Sequence, residues 1–277
     1  MNKLSVFVTT FNNAETLDAC LASVSFADEV VVLDSFSSDA TPAICAQHGV
    51  IFVENEFLGY GRQKQLALEH TTHGWVLFLD ADEMVSARLR DEIVALRSSE
   101  FGGGQYNGYE MPRNEQVFWR MSASTTRKNH YVRLFDRRYA QFTEMPVHAT
   151  VDVSGDIGRL RETFYHFGET DIHTKVAKIN GYSSGLVRDK VKKGRRANPW
   201  IMVVYPPFFF IRSYVFKRGF TNGWAGFVAS SVGAFYVFLK YAKLYENTRF
   251  QDGRAAQDMP QGAPMLRSPM ERFSGPV

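Results

Sequence analysis

Short apolar runs alternate with amphipathic stretches through the first third of the chain. Apolar runs predict strands at 4–10, 29–34, 50–53 and 75–79, and helical spacing of apolar residues predicts helices at 15–24, 41–48 and 59–70. Strands that alternate with helices of about ten residues are typical of a parallel α/β sheet. We therefore predict an α/β fold with a mixed, mainly parallel sheet and flanking helices. Further strands are expected at 108–117 and 130–135, with antiparallel additions to the sheet over 139–156.

Polar clusters follow three of these strands, at 9–13, 34–39 and 80–83. In open α/β sheets ligands bind outside the carboxyl ends of the strands, so the three clusters are expected to form one site. None of them has the dinucleotide glycine fingerprint or a phosphate-binding loop with Lys-Ser/Thr. The pattern therefore favours a nucleotide held by carboxylates and a metal ion.

The third cluster carries the strongest chemical signal, because a fully apolar run ends in Asp80-Ala81-Asp82. Residues i and i+2 of a strand point to the same side, so the two carboxylates would converge. Hard oxygen ligands suit a divalent ion such as Mg²⁺ or Mn²⁺ that also binds the phosphate oxygens of a ligand. The alternative is a solvated acidic turn at a strand end.

Several other polar and aromatic residues have an ordinary structural interpretation. The sequence favours semi-buried, hydrogen-bonded side chains for His148 and His166. It favours a solvated face for Arg133, Arg137 and Arg138, and core positions for Trp119 and Tyr131. Cys20 and Cys45 fall in predicted helices without disulfide spacing, which indicates small core residues in a reducing compartment. The first residues carry too short an apolar run for a signal peptide, so we expect a cytoplasmic protein.

Charge divides the 277-residue chain. Residues 1–170 carry 15 Lys/Arg and 23 Asp/Glu, whereas residues 171–250 carry 14 and 3. The basic part contains two uncharged stretches, 197–211 and 219–239, both rich in aromatic residues. We predict three segments: a catalytic domain at 1–170, a basic helical region that associates with a membrane at 171–248, and a disordered tail at 249–277.

Three arrangements remain open for the basic helical region. Aromatic residues flanked by Lys and Arg favour helices in the interface of an anionic membrane, while the length of 219–239 also permits a spanning helix. A helical hairpin buried in a soluble core is the third arrangement. A nucleic-acid surface is not favoured, because the cations adjoin very apolar segments.

A series of motifs resembles the second family of glycosyltransferases, which are inverting, nucleotide-sugar-dependent enzymes of the GT-A (Rossmann-like) fold. The motifs are Thr9-Thr10-Phe11-Asn12, Val31-Val32-Leu33-Asp34-Ser35, Gly59-Tyr60-Gly61-Arg62-Gln63-Lys64 and Trp75 to Glu83. Later motifs are similar to bacterial lipopolysaccharide inner-core β-1,4-glucosyltransferases: Arg133-Leu134-Phe135, Val147-His148, His166-Phe167, Lys178 to Ser183 and Phe238 to Tyr241. The resemblance covers roughly residues 1–248 and rests on the order of many motifs.

The resemblance implies a role for each matching residue. Thr9, Phe11 and Asn12 would line the nucleotide pocket, and Asp34 would accept a hydrogen bond from the base. Lys64 would add positive charge on the donor side, Asp80 would face the ribose or the metal, and Asp82 would ligate the metal on the diphosphate; Glu83 would be structural.

The catalytic base is the position where the sequence departs from the family. Inverting transfer needs a group that takes the proton of the acceptor hydroxyl. Relatives often have a glutamate after the histidine of the Val-His pair, but this chain has Ala149. Glu144 is our first candidate for the base, with His148 second and Asp152 as a further alternative.

The resemblance implies a sugar transferase on the cytoplasmic side of the inner membrane. It would move a sugar, glucose by preference, from a metal-bound UDP-sugar to a heptose of a lipid-linked core saccharide at an anionic membrane surface. One alternative is transfer to a polyprenyl phosphate. Another is a non-catalytic nucleotide-sugar-binding membrane protein, with Ala149 marking a lost base. No nucleic-acid partner is expected.

Overall fold

The computed structural model describes residues 2–143, 150–168, 171–253 and 260. The strands are β1 (Leu4–Thr10), β2 (Glu29–Asp34), β3 (Ile51–Glu54), β4 (Trp75–Asp80), β5 (Glu83–Val85), β6 (Gly108–Val117), β7 (Arg120–Met121), β8 (His130–Asp136), β9 (Ala140–Phe142), β10 (Val151–Val153), β11 (Ile157–Arg159) and β12 (Phe164–His166). The helices are α1 (Ala14–Ser23), α2 (Thr41–His48), α3 (Tyr60–Glu69), α4 (Ala87–Ser98), the short α5 (Glu100–Gly103), α6 (Ile172–Lys192), α7 (Pro199–Ile211) and α8 (Gly223–Gln251).

The main sheet has the strand order β3-β2-β1-β4-β8-β6-β12-β5, with β7 and β11 also paired to β6. Strands β1 to β4 are parallel neighbours, whereas β8 is antiparallel to both β4 and β6. The predicted α/β class, with a mixed and mainly parallel sheet and flanking helices, is confirmed. The predicted antiparallel additions over 139–156 are wrong in one respect, because β9 and β10 form a separate two-stranded sheet.

Side-chain alternation along the central strands divides the core into two layers. On β1, Leu4, Val6 and Val8 pack with α1, α2 and α4 on one face of the sheet. Phe7 of the same strand packs on the other face with α3 and the β9–β10 hairpin. There its ring stacks on Phe78 at a centroid distance of 5.5 Å. Full burial on both faces explains why these strands are continuous apolar runs.

The chain forms two compact units. One contains residues 2–115 and 128–168 as far as they are described, and the other contains residues 116–127 and 171–253. The first unit holds most of the main sheet with α1 to α5. In the second unit, α8 packs against both α6 and α7, so the C-terminal region is helical as expected.

Both thiols are in the core of the first unit. Cys20 on α1 and Cys45 on α2 are free and buried, which confirms the prediction of small core residues.

Candidate active site

Strand register brings the three polar clusters together. Thr10 is the partner of Asp34 across β1 and β2, and Thr9 is the partner of Asp80 across β1 and β4. A cavity of about 1090 Å³ opens at these carboxyl ends. Its walls also come from α3, β8, the start of β10, and β12: Gln63, Lys64, His130, Tyr131, Val132, Arg133, Thr150, Val151 and His166. The expected single site at the carboxyl edge is therefore present.

Two of the three residues predicted to line the nucleotide pocket lie in the described cavity lining. Thr9 and Phe11 line the cavity, and the Phe11 ring is 56% exposed. Asn12 is absent from the described lining and instead joins two turns. Its backbone N–H donates to Ser37 Oγ at 2.7 Å, and its Oδ1 accepts from Ser38 N at 2.9 Å. The Asn12 φ of 51° lies in the left-handed region, which asparagine tolerates better than most residues.

Asp34 lies under this turn, fully buried. Its two carboxylate oxygens accept hydrogen bonds from the backbone N–H and the hydroxyl of Ser37, at 2.7 and 2.5 Å. Ser35, at the start of the turn, lines the cavity. Asp34 thus holds the segment that borders the cavity, and its predicted contact with a base stays a prediction.

Asp80 lies between two cations. Lys64 Nζ is 2.6 Å from one of its carboxylate oxygens, and Arg133 Nη2 is 3.5 Å from the other. Burial alone would raise the pKa of Asp80, but these cations outweigh it and hold the pKa well below its usual range. Lys64 and Arg133 also lie over the ring of Phe78, with Nζ and Cζ at 5.1 and 4.1 Å from its centroid.

Glu83 anchors the turn that carries both aspartates. Its side chain is fully buried, accepts the Asp80 N–H at 3.1 Å and binds Arg133 at 2.6 Å. Burial raises the pKa of Glu83 and the Asp80 charge adds to this, while Arg133 opposes it. The interpretation of Arg133 as part of a solvated face is wrong, since its side chain is only 6% exposed. Arg138, by contrast, is exposed.

Asp82 faces a histidine that lies 84 residues further along the chain. His166 Nε2 is 3.4 Å from Asp82 Oδ2, and His166 Nδ1 is 2.7 Å from Glu115 Oε2. Although burial lowers it, hydrogen bonds to the two carboxylates raise the pKa of His166 to about 10. The short strand β12 pairs antiparallel with β5, with His166 opposite Glu83, and the Phe167 N–H donates to the Asp82 carbonyl at 2.8 Å.

The position of His166 was not predicted from the sequence. It is half-buried and hydrogen-bonded, as the ordinary structural interpretation requires, yet it also lines the cavity beside Asp82. His166 follows Asp82 by 84 residues, so no local sequence pattern links the two. The signal in the sequence that pointed to His166 is the resemblance of His166-Phe167 to a family motif. Tyr131, interpreted as core, lines the cavity as well and lies under Arg113, whose Cζ is 4.3 Å from the ring centroid.

The donor set at this point suits a divalent ion only in part. Within the described residues no group of three or more His, Cys, Asp and Glu side chains could hold a metal by itself. Asp82 Oδ2 and His166 Nε2 nevertheless line the cavity 3.4 Å apart, and a divalent ion between them would displace the Nε2 proton while Glu115 holds the proton on Nδ1. Mg²⁺ and Mn²⁺ sites often use so few protein ligands and complete the shell with phosphate oxygens and water.

The two candidates for the base, Glu144 and His148, lie outside the described residues. The chain on either side is described: Thr143 donates its N–H to the Thr150 carbonyl at 3.0 Å, next to the β9–β10 pairing. Thr150 and Val151 line the cavity, whereas Asp152 is exposed and is not part of the described lining.

Comparison with known proteins identifies the family. The model of glycosyl transferase family 2 matches residues 5–151. An uncharacterised glycosyltransferase of Rickettsia felis is 35% identical over 262 residues, which cover 89% of this chain and 91% of that protein. The lipopolysaccharide core biosynthesis glycosyltransferase LpsC of Rhizobium meliloti is 28% identical over 252 residues, with 88% and 92% covered.

Among solved structures, glucosyl-3-phosphoglycerate synthase of Mycobacterium tuberculosis, in complex with Mn²⁺ and UDP, is similar with a TM-score of 0.43 at 16% identity. The match covers 61% of this chain and 73% of that one. The family model spans more than half of the chain, and the Rickettsia relative exceeds 30% identity over nearly all of it. The chain belongs to glycosyl transferase family 2.

Proposed function

We propose that the protein is an inverting, metal-dependent hexosyltransferase that moves glucose from UDP-glucose to a heptose of the lipopolysaccharide inner core. The observation that carries this proposal is the pairing of Asp82 with His166 at a cavity whose wall also holds Lys64 and Arg133. Asp82 and His166 could bind a divalent cation, and Lys64 and Arg133 add positive charge beside it. Together these positive charges would complement the negative charge of a nucleoside diphosphate. The similarity to LpsC supports the lipopolysaccharide core as the acceptor class.

Asp82 and His166 are the residues that would hold the metal. A divalent ion bound to the diphosphate would supply Lewis-acid stabilisation of the leaving group. Lys64 and Arg133 are oriented by Asp80 and Glu83, so their charges stay beside the cavity in a fixed geometry. In our proposal they add to the stabilisation of negative charge as the sugar–phosphate bond breaks.

The donor nucleoside is proposed to bind between the β1 and β2 turns. Thr9 and Phe11 border the cavity there, and the exposed Phe11 ring offers a surface for stacking a base. The turn held by Asn12 and Asp34 would form the other side of this pocket.

Inversion requires the acceptor oxygen to attack the anomeric carbon opposite the diphosphate while a base removes its proton. We retain Glu144 as the proposed base and His148 as the second candidate. Support comes from the flanking residues, because Thr150 and Val151 line the cavity and Thr143 donates its N–H to the Thr150 carbonyl. Asp152 is less suitable, because its side chain is exposed and is not part of the described cavity lining.

The test is UDP release by the full-length protein. UDP-glucose, UDP-galactose and their N-acetyl forms are each supplied with Mn²⁺ or Mg²⁺ and with heptose-terminated lipid acceptor or polyprenyl phosphate. We expect acceptor-dependent release with UDP-glucose and the heptose acceptor, lowered at least a hundredfold in Asp82→Asn and in Glu144→Gln.

The matched control is Asp91→Asn, since the Asp91 carboxylate is exposed on α4 and is not part of the described cavity lining. Release that is equal in Asp82→Asn and the parent protein would contradict the metal assignment. Release with polyprenyl phosphate alone would contradict the acceptor. Donor binding without release under any acceptor would contradict the enzymatic proposal, and an Ala149→Glu variant would then show whether a missing base is the cause.

A further inference from the structure

Helix α7 combines very apolar composition with exposure. Residues 199–211 contain no charged side chain, yet none of them is buried. Val203 and Tyr205 are among the exposed apolar residues of α7, and five others recur every three or four positions through α7 and the π-helical turn Arg212–Phe216: Trp200, Val204, Phe208, Ile211 and Val215. This spacing defines one stripe on one helix face, about 22 Å long at 1.5 Å per residue. We call it the α7 stripe.

A second group of exposed aromatics lies where α7 and α8 are joined. Phe216 and Trp224 are 71% and 78% exposed, and Trp119, from the 116–127 segment, is 63% exposed. The interpretation of Trp119 as a core residue is therefore wrong.

Hydrogen bonds hold the 116–127 segment against the turn between the two helices. The Ala123 N–H donates to Asn222 Oδ1 at 2.7 Å, and the Arg127 N–H donates to the Lys217 carbonyl at 3.3 Å. Trp119 is thus attached to the same end of this unit as Phe216 and Trp224.

The segments that carry these apolar residues are basic, although Arg196 is paired with Asp252 at 3.0 Å. Residues 116–127 and 190–245 contain twelve Lys and Arg and no Asp or Glu. Arg212 and Arg218 are exposed beside the aromatic group, and Lys190 to Arg196 precede α7. Self-association of two copies of the chain through this surface would bring like charges together. An anionic bilayer, by contrast, complements both the positive charge and the aromatic side chains.

We propose that the α7 stripe, together with Phe216, Trp224 and Trp119, is a membrane-binding surface that lies in the interface of an anionic bilayer. Apolar side chains would enter the boundary between headgroups and acyl chains, and the flanking cations would bind lipid phosphates. The inference deepens the proposed function by naming the surface that meets the lipid-linked acceptor, and it stands on observations outside the cavity.

The same observations favour an interfacial over a spanning arrangement. One stretch of the described chain, Gly219–Gln251, is long and apolar enough to cross a membrane by length and composition. Its buried side chains, however, pack within the protein and include the polar Ser230, Asn247 and Thr248. A helix that uses one face for such packing has only its remaining face available for lipid.

Vesicle sedimentation tests the surface with the full chain. We expect binding to vesicles of 30% phosphatidylglycerol in phosphatidylcholine, little binding to phosphatidylcholine alone, and release by 0.5 M NaCl. Arg212→Gln and Arg218→Gln together should lower the partition coefficient about 25-fold at 0.1 M salt, at about fivefold for each cation. Arg88→Gln with Arg90→Gln on α4 of the other unit is the matched control and should leave binding unchanged.

A fourfold variant, Trp200→Ser, Phe208→Ser, Phe216→Ser and Trp224→Ser, tests the apolar part. These side chains are all more than half exposed, so folding should be retained. We expect at least a tenfold loss of vesicle binding, with Tyr139→Ser, an exposed aromatic of the other unit, as the control. UDP release onto a water-soluble, delipidated acceptor should stay within twofold of the parent protein.

Tryptophan fluorescence measures depth. Of the four tryptophans, Trp75 is buried, and Trp119, Trp200 and Trp224 belong to the proposed surface. Anionic vesicles should shift their emission to the blue, and lipids brominated near the headgroup should quench it more than lipids brominated near the chain end.

Other outcomes would overturn the inference. Equal binding to neutral vesicles, quenching greatest at the bilayer centre, or a membrane fraction that resists both salt and alkaline extraction would each refute interfacial binding. A dimer in solution that the fourfold variant dissociates would assign the surface to a second copy. Vesicle binding without UDP release would refute the proposed function alone, and UDP release without vesicle binding would refute this inference alone.

Discussion

The buried pair of Arg133 and Glu83 gives a quantitative test of how the site is held together. Glu83 is fully buried, and Arg133 binds it at 2.6 Å while lying against the Phe78 ring. The perturbation is Arg133→Met, which keeps an apolar chain of similar length on Phe78 and removes the charge. Glu83→Gln removes the other charge and keeps the shape of the side chain.

The expected magnitudes follow from the partners that remain. Removing one member of a buried ion pair costs about 3–5 kcal/mol, because the other charge is left uncompensated. Glu83 keeps the Asp80 N–H at 3.1 Å and Arg113 at 3.7 Å, so we expect about 3 kcal/mol for Arg133→Met. Glu83→Gln should cost about 2 kcal/mol, and the double variant about 3 rather than 5, a coupling of about 2 kcal/mol.

The assay is urea unfolding followed through Trp75, the buried tryptophan of the same unit, which stacks on Phe101 at 4.1 Å. Its emission at short wavelength separates it from the three exposed tryptophans of the other unit. Additive single costs, within about 0.5 kcal/mol, would refute the idea that the two residues stabilise the site as a pair.

Two further predictions concern packing around the site. A Cβ on Gly168 would lie 2.6 Å from the His166 ring, so Gly168→Ala should displace that ring. Calorimetry should show Mn²⁺ affinity weakened about tenfold, with no change in far-UV circular dichroism. Gly185→Ala, whose Cβ would meet open space, is the control, and equal affinities in both variants would contradict the role of His166. Burial, with a smaller contribution from the Asp34 charge, raises the pKa of Cys45 to about 11. Alkylation of the Cys45 thiol at pH 8 should therefore be about a hundredfold slower in the native protein than in urea. Equal rates in the native and denatured protein would contradict the burial of Cys45.

The sequence predicts the carboxyl edge of the sheet, which borders the cavity, because each strand there is recognisable from its own residues. Each strand that ends in a polar cluster is a continuous apolar run, and parallel pairing brings the ends of β1, β2 and β4 to one edge. The expectation that Asp80 and Asp82 converge rested on the alternation of side chains along a strand, but β4 ends at Asp80 and Asp82 lies in the following turn, where it faces His166 while Asp80 pairs with Lys64 and Arg133.

The rest of the site depends on contacts between distant residues. Strand β12 has three residues, too few for a periodic pattern, and its register with β5 places His166 beside Asp82. Arg133 looks like a surface residue in sequence, since its burial results from Glu83, fifty residues earlier. Trp119 shows the reverse, because an aromatic residue between strands gives no indication of which segment, if any, covers it.

The pairing of β12 with β5 has a consequence for engineering. The strand register ties Asp82 and His166 together directly, so their distance is set by strand pairing and not by the length of connections such as 118–129 and 143–150. The first connection joins the paired strands β6 and β8 and the second joins β9 and β10, so we expect a change in the length of either to leave the β5–β12 register in place. Segments exchanged between relatives at these two places should therefore leave the distance between Asp82 and His166 unchanged, although the first exchange would replace Trp119 and the second both base candidates, Glu144 and His148.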